Sequence, residues 1–299
     1  MIKALRTPDQ HFENLPDFEF EPHYVENLKG YQGLRVHYLD EGPRDSDRVF
    51  LCLHGQPTWS YLYRKMIPVF VESGARVIAP DWLGFGRSDK PIDDSVYTYD
   101  FHRNMMIALI EHLNLSNVTL VCQDWGGLLG LTIPQDMPER FTRLLVMNTA
   151  IAVGQSPGQG FEAWRAYNRT QPDLDVASLM QRGTPVLSEA EAAAYAAPFP
   201  DIKYKAGVRR FPDMVMTDPD MEGVEISKRA ARWWSEDWNG KSFMAIGAQD
   251  PVLGPKQMEH LHSLIKECPA PLVIEEAGHF VQEWGEPVAR NALKTWGDL

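Results

Sequence analysis

The chain has 299 residues, 44% of them hydrophobic, and a formal net charge of −12. This length and composition suit one large α/β domain, or a core domain with an insertion. An acidic surface repels nucleic acid and anionic lipid, so we expect neither as a partner. We also expect a cytoplasmic protein, because no long apolar stretch resembles a signal peptide or the roughly 20 residues of a membrane span.

The three cysteines, Cys52, Cys122 and Cys268, show neither CxxC nor zinc-ligand spacing. We therefore expect no metal site. An odd, sparse cysteine count also suits a reducing compartment.

Short apolar runs alternate with helix-like stretches along the chain, such as residues 99–115. This alternation predicts a doubly wound sheet with helices on both faces. The last five of the runs are apolar on both faces, which predicts buried parallel strands. The predicted strands are 34–40, 48–54, 76–81, 118–123, 143–148, 242–247 and 272–277.

The alternation stops between residues 151 and 230, where the composition is helical and punctuated by Pro and Gly. The spacing of Ser188 and Glu191 is typical of a capping box at a helix start. We predict a helical cap domain over 151–230, inserted into a core domain formed by 1–150 and 231–299.

The stretch "VTLVCQDWGGLLGL" (118–131) runs from a predicted strand into a predicted helix, with Asp124 at the turn. A nucleophile elbow needs small residues on either side of the reactive one, and Cys122 and Gly126 meet that need. Asp is also a good helix N-cap. This stretch alone leaves both interpretations open.

Two later residues favour the elbow. Asp250 and His279 each follow a predicted strand, so the chain carries Asp124, an acid and a histidine in the order that an elbow nucleophile requires. A lone Asp or His in a loop would more often be structural. Three such residues at matching strand ends predict a catalytic triad.

The motif "HGQPTW" (54–59) follows another predicted strand. We predict that the backbone N–H groups of Gln56 and Trp125 form an oxyanion hole. His54 comes too early in chain order to be the triad base, so we expect it to hold the loop by hydrogen bonds.

The G-x-G of "DWLGFGRSDKP" (81–91) lacks the third glycine and the βαβ context of a dinucleotide site. We interpret it as a structural turn and expect no organic cofactor.

Together these motifs resemble the haloalkane dehalogenases of the α/β-hydrolase fold. The resemblance runs over nearly the whole chain and includes "HGQPTW", "PDWLGFGRSDKP", "CQDWGG", "GFEAWR", "AAPFPD", "FMAIGAQDPVLGP" and "AGHFVQE". It is strongest to the subfamily with two halide-binding tryptophans. A sister subfamily has Asn and Glu where this chain has Gln56 and Asn148.

The resemblance implies an eight-stranded, mostly parallel sheet and the hydrolysis of haloalkanes to an alcohol, halide and a proton. It implies that Asp124 is the nucleophile that forms an alkyl ester, His279 the base and Asp250 its orienting acid. It also implies that Trp125 and Trp164 bind halide, with neither metal nor cofactor. We expect a monomer.

Two alternatives stay open. An epoxide hydrolase shares the fold and the triad and would use cap tyrosines, for which Tyr167, Tyr195 and Tyr204 are available. A non-catalytic ligand receptor could keep the same triad without turnover. A fluoroacetate dehalogenase is disfavoured, because Trp125 stands where an Arg would help to bind a carboxylate.

Overall fold

A computed structural model describes residues 2–299. Its strands are β1 Ala4–Leu5, β2 Pro22–Val25, β3 Val36–Glu41, β4 Val49–Leu53, β5 Arg76–Pro80, β6 Lys90–Pro91, β7 Val118–Cys122, β8 Phe141–Met147, β9 Lys241–Gly247 and β10 Leu272–Ile274. Its α-helices are α1 Ile67–Glu72, α2 Tyr99–His112, α3 Trp125–Gly130, α4 Gln159–Thr170, α5 Val176–Gly183, α6 Glu189–Ala196, α7 Ala206–Met214, α8 Val224–Glu236, α9 Pro255–Leu264 and α10 Gly285–Trp296.

Eight strands form one sheet in the order β10-β9-β8-β7-β4-β5-β3-β2. The first five pairings in that order are parallel, and the last two, made by β3, are antiparallel. The central strands β4 and β7 are buried at every residue, as their unbroken apolar runs require. The predicted mostly parallel sheet is confirmed.

Three strands were not predicted, and one was predicted wrongly. The short β1 and β6 pair with each other outside the main sheet, and β2 extends its antiparallel edge. The run at 272–277 was expected to be buried on both faces, but β10 ends at Ile274 and Val273 is 44% exposed. This strand lies at the edge of the sheet and pairs only with β9.

Helices α4 to α8 occupy the segment between β8 and β9, and residues 148–240 contain no strand. The predicted capping box is present, because Ser188 accepts from the N–H of Glu191 while the Glu191 side chain accepts from the N–H of Ser188. We propose that these helices form the cap. The boundary expected at residue 230 falls inside α8.

A buried ion cluster joins α6 to the sheet-bearing part of the chain. Arg64 and Glu283 form a bidentate pair with both side chains fully buried. Arg64 also bonds Glu191 at 2.7 Å, and Tyr195 donates its hydroxyl to Glu283. A buried pair of this kind is tolerated because each charge has a partner and further hydrogen bonds.

No helix within residues 2–299 is long and apolar enough to cross a membrane.

We predict that Glu283→Ala lowers the free energy of unfolding by about 3–5 kcal/mol, because it leaves the Arg64 charge buried without its main partner. Urea unfolding measures this change. Glu286→Ala is the control, since it removes an ion pair to the exposed Arg290 and should leave the midpoint nearly unchanged. Equal effects of the two substitutions would contradict the prediction.

Candidate active site

The turn between β7 and α3 holds Asp124 at a positive φ of 49°, with ψ of −125°. Few non-glycine residues adopt such a conformation without support from their surroundings. The support comes from close packing: a Cβ at Gly126 would lie 1.9 Å from the Leu53 carbonyl oxygen. Only glycine fits there, so the turn is as tight as the predicted elbow requires.

Asp124 occupies the N-cap position of α3, but its side chain makes no capping hydrogen bond. The carboxylate instead accepts the N–H of Gln56 through Oδ1, at 2.7 Å. The structure thus gives no support to the helix-cap alternative and leaves the carboxylate facing the loop at 54–59.

The side chains of the predicted triad lie together at the carboxyl ends of the strands. His279 Nδ1 bonds Asp250 Oδ2 at 2.7 Å, and His279 Nε2 lies 3.4 Å from Asp124 Oδ2. The Asp250 side chain is fully buried, whereas those of Asp124 and His279 are 15% and 20% exposed. The histidine therefore bridges a buried acid and an acid that solvent or a ligand can reach.

Asp250 is held by four hydrogen bonds. Its Oδ1 accepts the N–H groups of Val252 and Leu253, and its Oδ2 accepts from His279 and from Asn148 Nδ2 at 3.0 Å. Burial opposes the charge on Asp250, but His279 and these donors outweigh burial and lower its pKa to about 2. Asp250 is thus ionised over the physiological range.

Sequence reasoning missed the contact between Asn148 and Asp250. Asn148 directly follows β8, and this strand-end position was the only signal. From the sequence, Asn148 served only to distinguish the two subfamilies.

Burial alone would lower the pKa of His279. The charges of Asp250 and Asp124 and their hydrogen bonds to the ring outweigh burial and raise this pKa to about 10. The two carboxylates thus favour a proton on His279.

His54 is structural, as predicted. It is fully buried, its Nδ1 donates to the Gly55 carbonyl at 2.7 Å, and its Nε2 accepts the N–H of Trp82 at 3.1 Å. These bonds define the neutral Nδ1–H form. Burial also lowers the pKa of His54.

The segment at 81–91 is a turn around the buried Asp81, as predicted. The Asp81 carboxylate accepts from the N–H groups of Ser60 and Arg87 and contacts His37 Nδ1 at 2.6 Å. Its oxygens are occupied by protein donors, which agrees with a structural role.

A cavity of about 770 Å³ opens in front of Asp124 and His279. Trp125 and Trp164 both line it, and most of the remaining inner wall is apolar. Sequence reasoning had not identified the polar residues that also line this cavity: Gln155, Ser156, Arg182, Gln249, Gln257, His260 and Glu276.

Trp125 and Trp164 differ from four of the other seven tryptophans in the chain. Trp59, Trp82, Trp234 and Trp238 donate their indole N–H groups to protein oxygens. Neither Trp125 nor Trp164 has such an acceptor within residues 2–299. Their N–H groups are thus available to a ligand.

Among the described residues, no group of three or more His, Cys, Asp or Glu side chains is arranged to hold a metal ion.

This sheet, elbow and triad define an α/β hydrolase, and the sequence profile of the alpha/beta hydrolase fold family matches residues 48–286. The chain belongs more narrowly to the haloalkane dehalogenases. A haloalkane dehalogenase of Psychrobacter cryohalolentis is 46% identical over 298 residues, which are 97% of this chain and 96% of that protein. One of Mycolicibacterium paratuberculosis is 44% identical and covers 99% of this chain and 98% of its own length.

The structure of haloalkane dehalogenase DpaA from Paraglaciecola agarilytica NO2 is also similar. It has a TM-score of 0.97 and 56% identity, covering 98% of this chain and 99% of that one. DpaA is described as tetrameric, which does not support the monomer expected for this chain.

The charges around His279 predict how stability depends on pH. Since the folded pKa lies above the ordinary 6.5, the stability contributed by His279 is complete below pH 6.5 and is lost as the pH rises through about 10. The melting temperature of the wild type should therefore fall more steeply over this range than that of His279→Gln. Parallel curves of melting temperature against pH would contradict this prediction.

Proposed function

We propose that this haloalkane dehalogenase hydrolyses its substrate through an alkyl ester on Asp124, yielding an alcohol, a halide ion and a proton. The observation that carries the proposal is a carboxylate, rather than a hydroxyl, at the elbow between a histidine and an apolar cavity. A carboxylate can displace halide from carbon at neutral pH without first losing a proton.

The two oxygens of Asp124 have different surroundings. Oδ1 accepts the N–H of Gln56 at 2.7 Å, and Oδ2 faces His279 Nε2 at 3.4 Å. We assign the attack on carbon to Oδ2 and the later oxyanion to Oδ1, because Oδ1 already faces a donor. The backbone N–H of Trp125 is proposed as the second donor.

The leaving halide needs donors in a dry site. The indole N–H groups of Trp125 and Trp164 suit this role, because both residues line the cavity and neither N–H has an acceptor within residues 2–299. An indole stabilises developing negative charge without the full charge of a lysine. This pair supports placement in the two-tryptophan subfamily.

Ester formation changes His279. Esterification removes the negative charge of Asp124, one of the two charges that raise the pKa of His279. The imidazolium then becomes more acidic, loses its proton and can act as the base. It accepts a proton from water, which attacks the ester carbonyl, while Asp250 keeps the ring oriented. The bond between the carbonyl carbon and Oδ2 then breaks, the departing alcohol takes one proton of the water, and the other proton ends on His279.

The positions of the cap tyrosines do not support the epoxide hydrolase alternative. None of the candidate tyrosines Tyr167, Tyr195 and Tyr204 lines the cavity. The Tyr195 hydroxyl is buried against Glu283, and that of Tyr167 contacts Arg182. If the protein were instead a non-catalytic receptor, it would bind a ligand and release no product.

We likewise propose that helices α4 to α8 form a cap domain. We also propose that the protein is cytoplasmic, needs no cofactor and has neither nucleic-acid nor membrane partners.

We predict that the purified wild type releases bromide from 1,2-dibromoethane and 1-bromobutane, and that Asp124→Asn abolishes this release. The amide is a poor nucleophile and cannot form the ester. Bromide is measured over time, with mass spectrometry to exclude deamidation back to Asp. An undeamidated variant with wild-type turnover would overturn the role of Asp124.

We predict that His279→Gln still becomes alkylated but cannot hydrolyse the ester, because the nucleophile remains and the base is missing. Mass spectrometry after incubation with 1-bromobutane should show a stable butyl adduct on Asp124. Asp124→Asn serves as the control without an adduct. If His279→Gln binds substrate but forms no adduct, the two-step scheme fails.

A further inference from the structure

The carbonyl oxygen of Val208 lies inside the cap helix α7 but lacks its helical partner. In an α-helix this oxygen would accept the N–H of the residue four positions later. That residue is Pro212, which has no N–H. The proline therefore frees a buried acceptor in the middle of the helix.

Two side chains from elsewhere in the fold occupy this acceptor. Gln56 donates through Nε2 at 2.9 Å and Asn168 through Nδ2 at 3.2 Å. Both residues are buried. A carbonyl oxygen can accept two hydrogen bonds, so the Val208 oxygen is fully used.

Each donor is connected to part of the proposed site. The backbone N–H of Gln56 holds Asp124 Oδ1. Asn168 lies four residues after Trp164 on α4, which places the two side chains on the same face of the helix. On α7 itself, the Phe211 ring packs against Trp125 with centroids 4.8 Å apart.

We propose that Asn168 is a positioning residue for halide: its bond to the carbonyl freed by Pro212 fixes Trp164 relative to Asp124 and the Gln56 loop. This inference rests on the proposed role of Trp164. It concerns orientation, since Asn168 itself does not line the cavity.

Replacing Asn168 should change the position of Trp164 more than the stability of the fold. Asn168 Oδ1 has no partner in the structure, and Val208 keeps Gln56 as a donor if Asn168 is replaced. Asn168→Leu thus leaves no newly unpaired buried polar group, and its cost in stability should be small. A loss of halide affinity without a matching loss of stability is the expected signature.

The same two helices offer a matched control. Arg169 of α4 bonds Asp213 of α7 at 2.7 Å, and the Arg169 side chain is exposed. Asp213→Ala removes a link between α4 and α7 but leaves both donors to the Val208 carbonyl in place. It should leave halide binding unchanged, whereas Asn168→Leu should not.

The test measures bromide dissociation constants from saturable quenching of tryptophan fluorescence at constant ionic strength, together with melting temperatures. Asn168→Leu should raise the bromide Kd about tenfold, because Trp164 is no longer held in the orientation that binds bromide. It should shift the melting temperature by a few degrees at most. Single-turnover mass spectrometry with 1-bromobutane should show slower ester formation and an unchanged rate of ester decay.

A change in Kd of less than twofold for Asn168→Leu, or an equal change for Asp213→Ala, would overturn the inference. If Asn168→Leu does not fold, Asn168→Ala carries the same test, because it removes the donor to the carbonyl oxygen without adding a charge. Trp164→Phe separates the two proposals. Unchanged bromide affinity in Trp164→Phe refutes the halide role of Trp164. If Trp164→Phe loses bromide affinity but the Asn168 variant binds bromide normally, only the positioning role of Asn168 is refuted.

Discussion

The close contact between the elbow and the neighbouring strand is the constraint on which the site depends. A glycine at 126 lets the start of α3 approach the Leu53 carbonyl, and this approach holds Asp124 in a backbone conformation that the residue would otherwise avoid. The same approach brings Asp124 within reach of the Gln56 N–H. The strained backbone at Asp124 is therefore coupled to the position of the proposed nucleophile and of the N–H that faces it.

Charge placement builds on that turn. Asp250 is satisfied by Asn148 and by two backbone N–H groups, so its charge is stable although it is buried. Asp124 has fewer donors and opens onto the cavity. His279 lies between them, and the charges of both acids, that of Asp250 first, raise its pKa. Two carboxylates in different surroundings can thus take different roles.

Much of the fold and of the triad could be predicted, because parallel strands place the residues that follow them at one edge of the sheet. Asp124, Asp250 and His279 each follow a strand, and these positions can be found from apolar runs. The exposure of β10 could not be predicted, since an apolar run does not reveal whether a strand has one neighbour or two. Resemblance alone suggested Trp164, because cap packing depends on contacts distant in sequence.

Hydrogen bonds between side chains and partners far away in the sequence could not be predicted either. Asn148 follows a strand, but its bond to Asp250 spans 102 positions. The bond from Gln56 to Val208 spans 152 positions and depends on a proline in another helix. Neither contact follows from a local pattern, because each requires the complete fold.

The position of His279 between two carboxylates has a consequence for the order in which products leave. Both acids favour a proton on His279 before substrate reacts, and in the proposed scheme the ring takes a proton again when water is split. That scheme therefore has the proton of each cycle depart between these two events, while the alkyl group is still attached to Asp124. In the proposed scheme acidification of the medium precedes the appearance of the alcohol, and the enzyme begins every cycle with the proton taken from water in the cycle before.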